Sequence, residues 1–135
     1  MKVLAVDYGS RRTGLAVGDT LTRVSTPLPL IASGNPRAVV AEIRKRAAEF
    51  EAGLIVVGYP LNMDGTPGPA CAAVDRFVAF LRRRIALPVT LVDEKLSSFA
   101  AEEMGKEFEN DFRKRRKFLD SVAAQVILQD YLSQP

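Results

Sequence analysis

Short apolar runs, separated by turn-forming residues, open the chain. Lys2 to Val6 is the first run, Asp7-Tyr8-Gly9-Ser10 reads as a turn, and Thr13 to Val17 is a second run closed by Gly18-Asp19, a pattern that predicts a hairpin. Val24, Thr26, Leu28 and Leu30 alternate within Arg23 to Leu30, while Pro27 and Pro29 push that segment toward a sheet edge. The period then changes. Asn35-Pro36 marks a helix start, and Val39 or Val40, Ile43, Ala47 and Phe50 recur at helical spacing up to Gly53. Leu54-Ile55-Val56-Val57 is wholly apolar and bounded by Gly58, as expected of a central strand covered on both faces. After a loop rich in glycine and proline, Ala70, Val74, Phe77 and Leu81 form a second helical stripe ending near Arg84, and Pro88 introduces the strand Val89 to Val92. Ser97 to Met104 reads as helical and Gly105 to Lys117 as a polar, mobile segment. Leu119, Val122, Ala123, Val126 and Ile127 mark a last amphipathic helix, with Asp120 at its start.

Three strands, a helix, a strand, a helix, a strand and one or two helices predict an α/β fold. Its mixed five-stranded sheet should begin with three antiparallel strands and continue with two parallel to the first, flanked by helices. In such sheets the carboxyl ends of the parallel strands form the natural crevice. A chain of 135 residues, 47% of them hydrophobic, suits one domain spanning 1–135. No apolar run approaches the roughly 18 to 20 residues that span a bilayer, and Met1 leads directly into a strand, so a soluble, cytoplasmic protein is expected.

The absence of histidine narrows the chemistry. It removes Ser-His and Cys-His nucleophile pairs, histidine acid–base ribonuclease chemistry and ordinary His/Cys zinc sites. Cys71, the one cysteine, reads as a small packed hydrophobe. The net charge of +3 is unevenly spread: Arg113-Lys114-Arg115-Arg116-Lys117 is an unbroken cationic run, and Arg11-Arg12 and Arg82-Arg83-Arg84 are shorter ones. Such runs suit a polyanion. For Arg82 to Arg84 the better reading is complementation of a helix carboxyl terminus.

Asp7 stands where the first strand runs out and Asp93-Glu94 where Val89 to Val92 runs out, so the topology brings acidic groups to one sheet edge. Asp120, preceding the small residues Ala123 and Ala124, can join them from the last helix. Three close carboxylates stay ionised only when cations neutralise them, and hard oxygen donors suit Mg2+ or Mn2+. Each residue also has an ordinary reading: Asp120 as a helix cap, Asp7 as a turn residue, Glu94 as a surface charge.

Four separated segments, in order, carry a family resemblance. Asp7-Tyr8-Gly9-Ser10-Arg11-Arg12-Thr13-Gly14-Leu15-Ala16 is the first; Val56-Val57-Gly58-Tyr59-Pro60-Leu61-Asn62-Met63-Asp64-Gly65 with Gly68-Pro69-Ala70 is the second. Val92-Asp93-Glu94-Lys95-Leu96-Ser97-Ser98 and Leu119-Asp120-Ser121-Val122-Ala123-Ala124-Gln125-Val126-Ile127-Leu128 complete it. Together they resemble the RuvX/YqgF family of RNase H-like nucleases over nearly the whole chain. The resemblance implies an RNase H-like fold, a two-ion Mg2+ or Mn2+ nuclease site on Asp7, Glu94 and Asp120, and a role in maturing the 5' end of precursor 16S ribosomal RNA. It also admits a role on branched DNA, at Holliday junctions. Lys95, Ser97 and Ser98 depart from the family's usual Asp-Glu-Arg-Leu-Thr-Thr pattern, and lysine lacks arginine's bidentate fork.

Arg11 and Arg12, with Arg12 favoured, together with Lys95 and the run Arg113, Lys114, Arg115, Arg116 and Lys117, are the candidate nucleic-acid contacts. Precursor rRNA or branched DNA is the expected partner, with ribosomal particles a further one and no membrane. Two rivals remain: a non-catalytic nucleic-acid-binding assembly factor, and a nucleotide-binding protein akin to actin-like ATPases, which normally need two domains.

Overall fold

Strand order follows from what each segment buries. In the computed structural model, which describes residues 1–62, 64–94 and 112–134 (112–121 as backbone only), eight elements follow one another. They are β1 (Lys2–Asp7), β2 (Thr13–Asp19), β3 (Ser25–Ile31), α1 (Pro36–Glu49), β4 (Ala52–Tyr59), α2 (Pro69–Arg82), β5 (Val89–Asp93) and α3 (Phe112–Leu132). The sheet order is β3-β2-β1-β4-β5, with β1, β2 and β3 antiparallel and β4 and β5 parallel to β1, as the element order predicts. Central β1 and β4 are apolar on both sides because both sides are covered.

Alternation along the strands sorts the core into two layers. Leu4, Val6, Leu15, Val17, Ile55 and Val57 pack beneath α1 and α2, against Val39, Ile43, Val74, Phe77 and Leu81. Val3, Ala5, Ala16, Leu54, Val56 and Val92 pack beneath α3, against Ala124, Ile127, Leu128 and Leu132. Asn35 caps α1 by accepting the Arg37 backbone N–H at 3.0 Å, and Pro36 occupies the first helical turn. Cys71 is buried in α2 as a small hydrophobe, its Sγ donating to the Pro60 carbonyl at 3.4 Å.

Three boundaries differ from the sequence expectation. α1 ends at Glu49, and Glu51, at φ 54°, turns the chain into β4, so Gly53 is a strand residue. Arg23, at φ 58°, makes the turn before β3, leaving Val24 62% exposed and outside the strand. The third correction is the largest. Phe112 begins α3, so the basic run 113–117 has helical backbone where a loop was expected, and Asp120 lies two turns inside the helix instead of at its start. The predicted helix Ser97 to Met104 lies outside the described residues. Among the described residues no helix is long and apolar enough to cross a membrane.

Candidate active site

The carboxyl ends of β1, β4 and β5 lie side by side. Val6 is opposite Val57, so Asp7 falls beside Gly58; Gly58 is opposite Val92, and Glu94, two residues further and just past the end of β5, reaches the same edge. Their face follows from alternation. Val3 and Ala5 on β1, Leu54 and Val56 on β4, and Val92 on β5 all face α3, which puts Asp7, Gly58 and Glu94 on the α3 face as well. Asp93 has the opposite parity, is exposed and belongs to the other face. Alternation thus puts the two acids of the Asp93-Glu94 pair on opposite faces of the sheet.

Asp7 closes β1 opposite Gly14 of β2 and is half-buried, as is Glu94. The Glu94 backbone N–H donates to the Tyr59 carbonyl at 3.1 Å, extending the β4–β5 ladder one residue past the strand end. Its side chain then turns back over β4. A Cβ on Gly58 would stand 2.8 Å from Glu94 Oε2 and 3.0 Å from Glu94 Cδ, and 2.5 Å from Ile127 Cδ1 of α3. The missing side chain of Gly58 is therefore the space the Glu94 carboxylate occupies. Neighbouring strands are about 4.8 Å apart, so β5 stands about 10 Å from β1, and the longer glutamate reaches inward across the glycine. In the sequence Gly58 reads as the end of a strand; its place beside Asp7 follows only from the register.

α3 runs opposite to β1. Ile127 packs at Gly58 by the carboxyl edge, whereas Leu128 and Leu132 approach Gly18, the partner of Val3 near the start of β1. Two glutamines fix the helix against β3: Gln125 Nε2 donates to the Ser25 carbonyl at 3.2 Å, and Gln129 Nε2 to Ser25 Oγ at 2.7 Å. Asp120 lies seven residues before Ile127, about 10 Å of helix, and one turn before buried Ala123 and Ala124. Its backbone is on the stretch of α3 leading to the carboxyl edge, and an interior helical position removes the cap reading. Among the described residues no group of three potential ligands forms an ion cage; the described acids on the α3 face of this edge are Asp7 and Glu94. They fit a hard cation in kind, oxygen donors at an edge with a cradle that a Cβ would fill.

The edge is braced from behind. Tyr8 stacks on Phe77 of α2, with centroids 4.1 Å apart. The Tyr59 hydroxyl donates to Asp75 Oδ2 at 3.2 Å; loss of solvent, then Cys71 and Asp75, push the phenol up to about 12. In the glycine and proline loop, Asp64 Oδ1 accepts both the hydroxyl (2.6 Å) and the backbone N–H (3.0 Å) of Thr66, which hold its carboxyl below the usual range. Asn62 Nδ2 donates to Thr66 Oγ1, and a bridge pairs Leu61 with Pro67. Between β1 and β2, Arg11 is exposed and Arg12 half-buried, and a Cβ on Gly9 would collide with the Arg12 carbonyl, so glycine lets this loop fold tightly. Lys95 lies outside the described residues. Arg113, Lys114, Arg115, Arg116 and Lys117 occupy the first turns of α3, described as backbone alone.

A five-stranded mixed sheet with an aspartate ending its central first strand and a helix crossing the same edge defines the RNase H-like class. Solved structures share this fold. Thermus thermophilus RuvC, solved with a Holliday junction substrate, aligns with 98% of this chain and 97% of its own at TM-score 0.58 and 14% identity. The fowlpox virus resolvase, solved with Holliday junction DNA, aligns with 99% and 100% at TM-score 0.55 and 11% identity. A family model described as "RuvX: Holliday junction resolvase" matches residues 1–134. A Geobacillus kaustophilus protein is 45% identical over 98% of this chain and 97% of its own length. One from Chloroflexus aggregans is 41% identical over 96% and 92%. Both bear the name "Putative pre-16S rRNA nuclease". The chain belongs to the RuvX family.

Proposed function

We propose that this protein is a nuclease that hydrolyses a phosphodiester bond in structured RNA, its substrate being the 5' end of precursor 16S rRNA. The observation that carries the reading is the register, which puts Asp7 beside Gly58 on the face where the Glu94 carboxylate occupies the empty Cβ position of that glycine. The names of the relatives support the choice of RNA. Asp7, Glu94 and Asp120 together would hold two Mg2+ or Mn2+ ions. When bound, such ions supply Lewis-acid stabilisation of the attacking and leaving oxygens in an in-line displacement.

The chain's own contribution is placement. Asp7 sits on a strand buried on both sides, so its position is rigid, and Glu94 is held by its backbone bond to Tyr59 and by the glycine floor beneath it. Arg12 beside the edge, Lys95 and the basic first turns of α3 supply phosphate contacts that position the strand without reading its bases. The family description favours a second substrate, the four-way DNA junction.

The test is cleavage of precursor 16S RNA and of a four-way DNA junction with Mg2+ or Mn2+, by wild type, Asp7→Asn and Asp120→Asn. Loss of cleavage with retained binding supports the site; undiminished cleavage by both variants removes it. Binding without any metal-dependent cleavage by the wild type would establish an assembly factor instead.

A further inference from the structure

On the face of the sheet away from α3, α1 and α2 border a groove of about 400 Å³ lined by Arg37, Val40, Ala41, Arg44 and Arg84. Three of its five lining residues are arginines and none is acidic. Among the described residues none of the three forms an ion pair, whereas Arg46 on the same helix is held by Glu42 at 3.0 Å and Glu49 at 2.8 Å. Among the described residues α1 thus neutralises Arg46, which does not line the groove, and gives Arg37 and Arg44 no ion-pair partner. Arg84 is also fixed in place: its guanidinium lies 3.5 Å from the Phe80 ring centroid, and Nη1 donates to the Phe80 carbonyl at 3.3 Å. Among the described residues this is the one hydrogen bond its guanidinium makes, and stacking of this kind preorganises an arginine for an anion.

The groove is connected to the carboxyl edge by the course of the chain. β3 runs parallel to β1, and Gly34 follows it against the Ser10 carbonyl of the β1–β2 loop, so α1 starts at the edge where Asp7 lies. Arg37 is in the first turn of α1 and Arg44 lies two turns on, about 10 Å further from that edge. Beyond Arg44 the surface changes to an apolar cleft with one carboxylate, Glu51, lined also by Ala48, Ile85 and Leu87. The anion-compatible part therefore ends there.

We infer that the α1–α2 groove is a second phosphate-backbone site, which holds a nucleic-acid segment leaving the carboxyl edge over the back of the sheet. The inference rests on the nuclease reading for its choice of polyanion. Each guanidinium engaged by a phosphate releases condensed counterions, so the site adds affinity and salt dependence without sequence preference. It takes no part in bond cleavage, because the sheet separates it from Asp7 and Glu94.

The experiment measures binding of a stem-loop RNA with single-stranded flanks by fluorescence anisotropy, in EDTA, over a KCl series. The proteins are the wild type, R37Q/R44Q, R37K/R44K and R46Q. Two lost phosphate contacts should lower the slope of log K against log[KCl] by about 1.4 to 1.8 and weaken binding by about tenfold or more at 0.1 M salt. R37K/R44K should keep the slope, and R46Q should keep both slope and affinity. Cleavage by R37Q/R44Q at saturating RNA with Mg2+ should match wild type, whereas Asp7→Asn should bind normally and not cleave. The groove is refuted by an R37Q/R44Q line that overlays wild type, or by an equal loss in R46Q, which would show a dependence on net charge alone. If polyglutamate binding falls in R37Q/R44Q while RNA binding does not, the occupant is an acidic protein and the inference fails. If R37Q/R44Q unfolds, the single variants R37Q and R44Q decide: a slope lower by about 0.7 to 0.9 in each upholds the inference, and slopes equal to wild type overturn it. Absence of RNA binding by the wild type overturns both this inference and the nuclease reading.

Discussion

Gly58→Ala adds one methyl group at the point where three elements meet. That Cβ would stand 2.5 Å from Ile127 Cδ1 and 2.8 Å from Glu94 Oε2. Carbon contacts are optimal at about 3.5–4.0 Å, so Ile127 must retreat by about 1 Å and the Glu94 carboxylate by several tenths of an ångström or more. Overpacking of this kind costs about 1–3 kcal/mol, and replacing glycine by alanine within a strand returns about 0.5–1 kcal/mol. A net loss of about 1–2 kcal/mol lowers the melting temperature by about 4–8 °C in a chain of this size. Catalysis should suffer more, since a 1 Å misplacement of a reacting group can cost about 100-fold. A second substitution separates the two effects. Ile127→Val removes Cδ1, so Gly58→Ala/Ile127→Val should recover much of the stability while leaving Glu94 displaced and cleavage about as slow. Single-turnover cleavage with Mg2+, read beside thermal melts, measures both. Wild-type cleavage by Gly58→Ala would refute the role given to the glycine, and joint recovery of stability and rate in the double variant would show that Glu94 was never displaced.

Glu94→Asp shortens the arm that crosses β4 and should lower single-turnover cleavage by about 100-fold, whereas Asp93→Asn, on the opposite face, should leave it within about twofold. Equal losses in the two variants would mean that the register does not separate these acids. Thr13 Oγ1 is fully buried and has no hydrogen-bond partner among the described residues, and such a hydroxyl costs about 1–3 kcal/mol. Thr13→Val should therefore raise stability to urea by about 1 kcal/mol, and a loss of stability would show that the hydroxyl is satisfied. The Tyr59 phenol, near 10 in an unfolded chain, is pushed up to about 12 in the fold. Folding thus favours its neutral form: that contribution is complete below pH 10, declines from pH 10 to 12 and is lost above. Melting temperature should fall across this window, and Tyr59→Phe should fall less steeply; identical pH profiles would remove the assignment.

Hydrophobic pattern alone determined the order of elements. β1, β2, β4 and β5 announce themselves because residues buried on a pleated sheet must alternate or run wholly apolar, and α1 and α2 because burial on one side imposes helical spacing. The lack of histidine likewise limits the candidate chemistry to carboxylates, lysines, hydroxyls or bound hard cations, whatever the fold. The start of α3 was not legible, since 113–117 is wholly basic and contains no apolar stripe, although arginine and lysine are good helix formers. Arg23 and Glu51 hid two turns, because positive φ is uncommon outside glycine. What only the tertiary structure decided was face and register. Glu94 rather than Asp93 points to α3 because β5 pairs with β4 in one alignment and not its neighbour, and Gly58 becomes a carboxylate's seat only when β1, β4, β5 and Ile127 of α3 converge on it. Neither relation exists in the local pattern, since each is made by residues distant in sequence and adjacent only after the sheet has formed.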